Sequence, residues 1–126
     1  MKLLIGLAVM GAASAALVFG SEATQAQGAA PAAFAACKAC HTVNKGGRNG
    51  IGPNLHGVVG RPAASVAGFN YSPAMKASKL RWDDATLDAY LAGPMKKVPG
   101  TKMPIATPDP AKRAAIIAYL KAEGAK

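Results

Sequence analysis

The chain has 126 residues, with 15 Lys and Arg against 6 Asp and Glu and a formal net charge of +9. This length fits one small domain plus a terminal segment. The basic balance favours an acidic partner that is approached through long-range attraction. Nucleic acid is not expected as that partner, because the chain begins with an export pattern. The only two cysteines, Cys37 and Cys40, lie too close together to form a disulfide framework.

The N-terminal segment shows the order of features of a secretory signal peptide. Lys2 gives a positive start, Leu3 to Phe19 is almost continuously apolar, and small residues follow. We therefore predict a signal peptide over residues 1–26 and a globular domain over 27–126. The alternative is an uncleaved membrane anchor, although the apolar run is shorter than the about 20 residues that a bilayer crossing needs. Both interpretations predict a periplasmic domain, either free or tethered to the inner membrane.

The domain reads in chain order as short helices between loops rich in glycine and proline. The expected helices are Pro31–Cys40, a short one started by Ser72-Pro73, one from Asp83-Asp84 to Gly93-Pro94, and a C-terminal one from Asp109-Pro110 to Gly124. The expected loops are residues 46–60 and 98–108. No stretch alternates as a strand does, so the predicted fold class is all-α. Because loops this long are uncommon in so small a domain, we expect them to wrap a bulky group.

The segment Cys37-Lys38-Ala39-Cys40-His41 has the spacing of a c-type haem attachment site. In such a site the two thiols bond to the porphyrin vinyl groups, and the histidine is held beneath the iron as an axial ligand. A thioredoxin-like redox pair would need a strand before the motif. A zinc site would need a second ligand pair, and the only other histidine is His56. The motif therefore predicts one covalent haem c with its iron.

The residue in the sixth iron position decides between an electron carrier and a catalyst. A methionine opposite the histidine raises the reduction potential and closes the iron to external ligands. The downstream candidates are Met75, Met95 and Met103, each of which also fits a core filler. Met103 is favoured because Pro99 and Pro104 stiffen its loop.

The sequence resembles the small class I cytochromes c of bacteria and mitochondria from Phe34 to Tyr119. The resemblance rests on the haem motif and on these segments in the family's order: Gly52-Pro53-Asn54-Leu55-His56-Gly57, Gly60-Arg61, Gly68-Phe69-Asn70-Tyr71, Trp82, Tyr90-Leu91 and Pro99-Gly100-Thr101-Lys102-Met103. It implies the class I cytochrome c fold and one haem c attached through Cys37 and Cys40. It also implies His41 and Met103 as axial ligands.

The resemblance also assigns residues around the haem. The carbonyl of Pro53 is expected to accept the ring N–H of the axial histidine, which orients it. Arg61, Tyr71 and Trp82 are expected to compensate a buried haem propionate. Tyr90 and Thr101 are expected to be the polar residues beside the methionine sulfur. His56 is expected to have a structural role in its loop.

Two positions depart from the family pattern. Ala30 stands where the first helix usually has a glycine, and the contact with Tyr119 is therefore expected to be looser or differently registered. Met75 replaces a polar residue near the haem, which alters the internal hydrogen bonding.

The predicted function is that of a monomeric, periplasmic single-electron carrier. Five lysines flank the two haem-binding loops and are expected to dock acidic faces of redox partners: Lys38, Lys45, Lys96, Lys97 and Lys102. The expected donors are a quinol-oxidising cytochrome complex or a dehydrogenase, and the expected acceptors are a terminal oxidase or a photosynthetic reaction centre. A haem enzyme or gas sensor with a displaceable sixth ligand is the alternative.

Overall fold

The computed structural model describes residues 30–126, so the predicted signal peptide over 1–26 lies outside the described residues. Two 3₁₀ turns come first, at Ala32–Phe34 and Cys37–Ala39. The α-helices that follow are α1 (Pro73–Ala77), α2 (Asp84–Ala92), α3 (Pro94–Lys97) and α4 (Pro110–Gly124). Within the described residues, the one extended pairing is an isolated antiparallel bridge between Pro62 and Arg81. The predicted all-α fold class is confirmed.

The starts of α1, α2 and α4 lie where the sequence predicts them. Ser72, Asp83 and Asp109 each cap a helix by accepting a backbone N–H with the side chain. Such a cap satisfies a donor that the helix itself leaves unpaired. Proline occupies the first turn of α1 and α4, where its missing N–H costs nothing.

Two local predictions differ from the structure. The predicted short helix over Pro31–Cys40 is replaced by the two 3₁₀ turns, neither of which has a capping side chain. The stop at Gly93-Pro94 does end α2, but Pro94 then starts the single turn of α3. Proline favours such a start because its backbone is already set for the first helical position.

The core lies where the first turn, α2 and α4 meet. Phe34 is 1% exposed, and its ring centroid lies 4.9 Å from that of Tyr119 in an edge-to-face arrangement. Ala30 packs at the margin of this core. Within residues 30–126, no helix combines the length and the apolar character that a membrane crossing requires. This packing leaves the long loops to enclose a cavity.

Candidate haem-binding site

An apolar cavity of about 300 Å³ lies among the loops. Cys37, Cys40 and His41 line it from the N-terminal turns, and Met103 lines it from the loop after α3. A volume of this order is typical of a small-molecule or cofactor site. The structure therefore brings together three neighbouring residues and a fourth that follows three helices later in the sequence.

The two thiols are partly buried and are not joined to each other. Burial, followed by the neighbouring Cys40, raises the pKa of Cys37. At neutral pH Cys37 therefore lines the cavity as a protonated thiol. Net addition of its S–H across a vinyl group, with sulfur bonding one carbon and hydrogen the other, would form the thioether that haem attachment requires.

His41 is held in one orientation by its surroundings. Its Nδ1 lies 2.7 Å from the carbonyl oxygen of Pro53. A Cβ on Gly52 would lie 2.4 Å from Cε1 of His41, so only glycine fits beside the ring. Burial lowers the pKa of His41, and the hydrogen bond to Pro53 opposes this. The ring is thus kept neutral with its proton toward Pro53, which leaves Nε2 as the free electron-pair donor.

The loop that carries Pro53 is stiffened by a network around Asn54. The side-chain amide of Asn54 donates to Thr42 Oγ1 at 2.8 Å and to the carbonyl oxygen of Asn44 at 3.0 Å. Its backbone N–H donates to Asn49 Oδ1 at 2.9 Å. Sequence reasoning missed this role of Asn54, because side-chain amides in a glycine-rich loop give no periodic signal.

His56 belongs to the same loop and does not line the cavity. Its Nδ1 lies 3.2 Å from the carbonyl oxygen of Val43. This contact ties the two sides of the loop together. The geometry supports the structural role expected for His56.

Arg61 projects a half-buried guanidinium to the cavity wall. Its Nη1 donates to the carbonyl oxygen of His56 at 2.8 Å, and its Nη2 to that of Asn54 at 3.3 Å. Its Nε is buried without a partner among the described residues. Burial lowers the pKa of Arg61, and the proximity of Tyr71 opposes this only in part. A carboxylate in the cavity would satisfy both the donor and the charge, so the site fits a haem propionate.

The antiparallel bridge places Arg61 and Trp82 side by side. Trp82 N–H donates to the carbonyl oxygen of Arg61 at 2.9 Å, and Gly60 N–H donates to that of Trp82 at 2.6 Å. Tyr71 also lines the cavity, and its hydroxyl oxygen accepts the N–H of Val66 at 3.0 Å, which leaves the phenolic proton available. The three residues expected to compensate a propionate thus all line the cavity.

Residues 98–109, which we call the Met103 loop, form another wall. The hydroxyls of Tyr90 and Thr101 lie 2.6 Å apart, and Met103 follows two residues later. A Cβ on Gly100 would lie 3.0 Å from Ala74 Cβ, so the loop packs closely against α1. These contacts fix the chain on the N-terminal side of Met103.

The other two methionines occupy different environments. Met75 is buried and lines the cavity, whereas Met95 is 57% exposed and does not. All five candidate docking lysines are exposed. Lys102 differs from the others because its Nζ donates to the carbonyl oxygen of Asn70 at 3.1 Å.

Comparison with known proteins agrees with this geometry. Residues 25–123 match the family model described as Cytochrome c. Cytochrome c2 iso-2 of Magnetospirillum fulvum is 53% identical over 93 residues, which are 73% of this chain and 96% of the relative. Cytochrome c2 of Rhodoblastus acidophilus is 50% identical over 97 residues, which cover 74% of this chain and 91% of the relative.

A solved structure gives the same result. Cytochrome cH from Methylobacterium extorquens is 54% identical, with a TM-score of 0.66 over 71% of this chain and 90% of that one. Helices and long loops around an apolar cavity with Cys-x-x-Cys-His at its edge define a haem-binding electron-transfer domain. The chain belongs to the cytochrome c family, in class I. It therefore carries one covalently attached haem c with its iron and transfers electrons to and from redox partners.

Proposed function

We propose that the chain is a periplasmic single-electron carrier and not an enzyme. Cys37 and Cys40 attach the haem, and His41 and Met103 are the two axial ligands of its iron. The observation that carries this proposal is that all four side chains line one apolar cavity. The haem iron supplies a one-electron couple, whose potential is raised by a methionine ligand.

The residues around the cavity support a haem whose surroundings change little on electron transfer. Pro53 and Gly52 hold the His41 ring, and the hydroxyls of Tyr90 and Thr101 join the loop to α2. These contacts hold both ligand-bearing segments in place, so we expect neither segment to shift when the charge on the iron changes. The side chain of Arg61 offers an anion a donor within the cavity.

Docking of partners is proposed to occur at the opening of this cavity. Ile51 is 82% exposed and Ile105 is 40% exposed, and both line the cavity. Positive charge is supplied by the exposed residues Lys38, Lys45, Lys96 and Lys97. Lys102 adds its charge while it donates a hydrogen bond to the carbonyl oxygen of Asn70. An apolar patch with lysines suits a small, salt-sensitive contact with an acidic face.

Each expected partner has an electron-transfer role. A quinol-oxidising cytochrome complex or a periplasmic dehydrogenase would act as donor, and a terminal oxidase or a reaction centre as acceptor. The chain would act as a monomer, and each encounter with a partner would be brief. Increasing ionic strength should slow electron transfer with such a partner, since exposed charges are screened.

The periplasmic location rests on the predicted signal peptide over residues 1–26. The protein would be attached to the membrane only if this segment stayed uncleaved. Mass spectrometry of the native holoprotein tests both the cleavage and the haem attachment. A mass that retained Met1 to Ala26 would contradict the cleaved form.

The absorption spectrum of the oxidised holoprotein tests the ligand assignment. A methionine ligand gives a weak sulfur-to-iron band in the near-red, which we expect at rest and expect Met103→Ala to abolish. Met95→Ala is the exposed control and Met75→Leu the buried control, and both should retain the band. A high-spin resting spectrum would instead indicate the haem enzyme or gas sensor, and loss of the band in Met75→Leu would move the ligand to Met75.

A further inference from the structure

We infer that Arg113, together with Asp88, is a positioning residue that limits how far the Met103 loop can move away from the haem iron. Its function is to keep external ligands from replacing Met103. The inference deepens the proposed function and rests on its assignment of Met103 as an axial ligand. It is carried by the way in which the two ends of the Met103 loop are attached.

The first attachment precedes Met103. Thr101 N–H donates to the carbonyl oxygen of Val98 at 3.0 Å, and the buried hydroxyl of Thr101 lies 2.6 Å from that of Tyr90 on α2. A hydrogen bond between two buried hydroxyls is costly to break, because each group would be left unsatisfied. The loop is therefore fixed to α2 at residue 101.

The second attachment follows Met103. Thr107 N–H donates to the carbonyl oxygen of Leu91 at the end of α2 at 2.7 Å. Arg113 Nη1 donates to the carbonyl oxygens of Thr107 at 3.0 Å and of Pro108 at 2.7 Å. Thr107 itself lines the cavity. The backbone N–H of Thr107 is thus bonded to Leu91, and its carbonyl oxygen is bonded to Arg113.

Between the two attachments the backbone is held weakly. The N–H of Met103 reaches Thr101 Oγ1 only at 3.4 Å. Residues 104–106 form no hydrogen bond within the described part of the chain. Release of the attachment at Thr107 would therefore free the segment from Met103 to Pro108 to move as one flap, while the side chain of Lys102 stays bonded to the carbonyl oxygen of Asn70.

Asp88 fixes the guanidinium in place. Arg113 Nε lies 2.7 Å from Asp88 Oδ1, and the side chain of Arg113 is only 12% exposed. Asp88 lies on α2 near Tyr90 and Leu91, which bear the other contacts of the loop. The planar guanidinium can bond the carboxylate and the two carbonyls together, whereas a lysine ammonium lacks this fixed fork of donors.

The structure offers a matched control on the same two helices. Lys121 of α4 and Asp84 of α2 form an ion pair whose side chains are 49% and 58% exposed. Neither residue lines the cavity or bonds to the Met103 loop. Exposed pairs of this kind contribute little to stability. A change at Lys121 therefore reports the loss of a bridge between α2 and α4 without any change at the loop.

The test is imidazole binding to the oxidised holoprotein at pH 7, followed by the change in the main haem absorption band in every variant and also by loss of the sulfur-to-iron band wherever that band is present. The loss of hydrogen bonds from a charged group predicts about tenfold tighter apparent binding for Arg113→Lys. Asp88→Asn should tighten binding by about threefold, because the oxygen that orients the guanidinium loses its negative charge. Lys121→Gln should stay within about twofold of the unsubstituted protein.

Global unfolding, followed by far-ultraviolet circular dichroism, separates positioning from stability. If Arg113→Lys lowers the unfolding midpoint but binds imidazole as Lys121→Gln does, the inference is overturned. If Arg113→Lys yields no holoprotein, Asp88→Asn decides by the same comparison. Met103→Ala serves as the reference for an open site and should bind imidazole more tightly than any of these variants.

The two proposals fail in different ways. If the unsubstituted protein lacks the sulfur-to-iron band and Met103→Ala binds imidazole no more tightly, the ligand assignment itself fails. If the band is present and is lost in Met103→Ala, but Arg113→Lys and Asp88→Asn leave imidazole affinity unchanged, only the role of Arg113 fails.

Discussion

The hydroxyls of Tyr90 and Thr101 lie 2.6 Å apart, and both side chains are buried. Burial raises the pKa of Tyr90, and the hydrogen bond to Thr101 opposes this. Tyr90 therefore stays protonated through the neutral range. Because Tyr90 belongs to α2 and Thr101 to the Met103 loop, this hydrogen bond connects the helical core to a wall of the haem cavity.

Tyr90→Phe is expected to lower the free energy of unfolding by about 1–3 kcal/mol, because the buried hydroxyl of Thr101 loses its partner. Guanidinium denaturation of the holoprotein measures this. Removing both hydroxyls with Tyr90→Phe and Thr101→Val should cost less than the sum of the two single changes. Tyr119→Phe is the control, because the Tyr119 hydroxyl forms no hydrogen bond within the described residues. Equal losses for Tyr119→Phe and Tyr90→Phe would contradict the prediction.

Gly52→Ala is expected to prevent normal seating of His41. The added methyl group would lie 2.4 Å from Cε1 of the ring, and overpacking of this kind costs about 1–3 kcal/mol or more. We expect a lower yield of holoprotein and a weakened histidine ligation in the absorption spectrum. Gly93→Ala is the matched control, since its Cβ would meet Lys96 Cβ at 3.4 Å, an ordinary contact. Full holoprotein yield with an unchanged spectrum for Gly52→Ala would refute this view of the site.

Arg61→Gln is expected to lower the reduction potential. The oxidised haem iron carries one more positive charge than the reduced iron, so removal of a nearby positive charge favours the oxidised state. A half-buried charge at the cavity wall should shift the potential by tens of millivolts, to order of magnitude. Voltammetry of the holoprotein measures this, with the exposed Arg48→Gln as a control that changes the potential less. A rise in potential would contradict the charge argument.

Protonation of Asp83 is expected to lower the stability of the protein in acid. The hydrogen bond from the backbone N–H of Thr86 lowers the pKa of Asp83 in the folded state. Its stabilising effect is therefore complete above the unfolded pKa of about 3.9, and it is lost as the pH falls through the lower folded value. Asp83→Asn keeps a capping oxygen but does not titrate, so its unfolding midpoint should depend less on pH below about pH 4.

Asp83→Ala separates the cap from the charge. It removes both, so it should be less stable than Asp83→Asn at neutral pH as well as in acid. Thermal unfolding at a series of pH values measures the difference. If Asp83→Asn kept the full acid sensitivity of the unsubstituted protein, other carboxylates would be responsible.

The sequence predicted the elements that local chemistry determines. Ser72, Asp83 and Asp109 indicate helix starts, because a capping side chain bonds to a backbone N–H only two or three residues later. The Cys-x-x-Cys-His motif likewise locates the attachment segment, since its five residues are contiguous. By contrast, the 3₁₀ turns around Phe34 were predicted as one helix, because an alanine-rich run does not distinguish the two.

The contacts missed by sequence reasoning are those between distant segments. Arg113 and Asp88 lie on different helices, and neither has a pattern that sets it apart from other surface charges. The polar network of Asn54 and the pairing of Pro62 with Arg81 exist only once the loops have closed. Family resemblance supplied Pro53 and Arg61, but the unpartnered Nε of Arg61 becomes visible only in the folded chain.

The edge-to-face contact of Phe34 with Tyr119 has a consequence for the order of assembly. It joins the first described turn to α4, so it can form only after the chain has been synthesised through Tyr119. Closing so large a loop is entropically costly and slow relative to local helix formation. Until then the segment with Cys37 and Cys40 lacks its packing partner and stays accessible. The fold thus leaves the two thiols open to haem attachment before the domain closes over them.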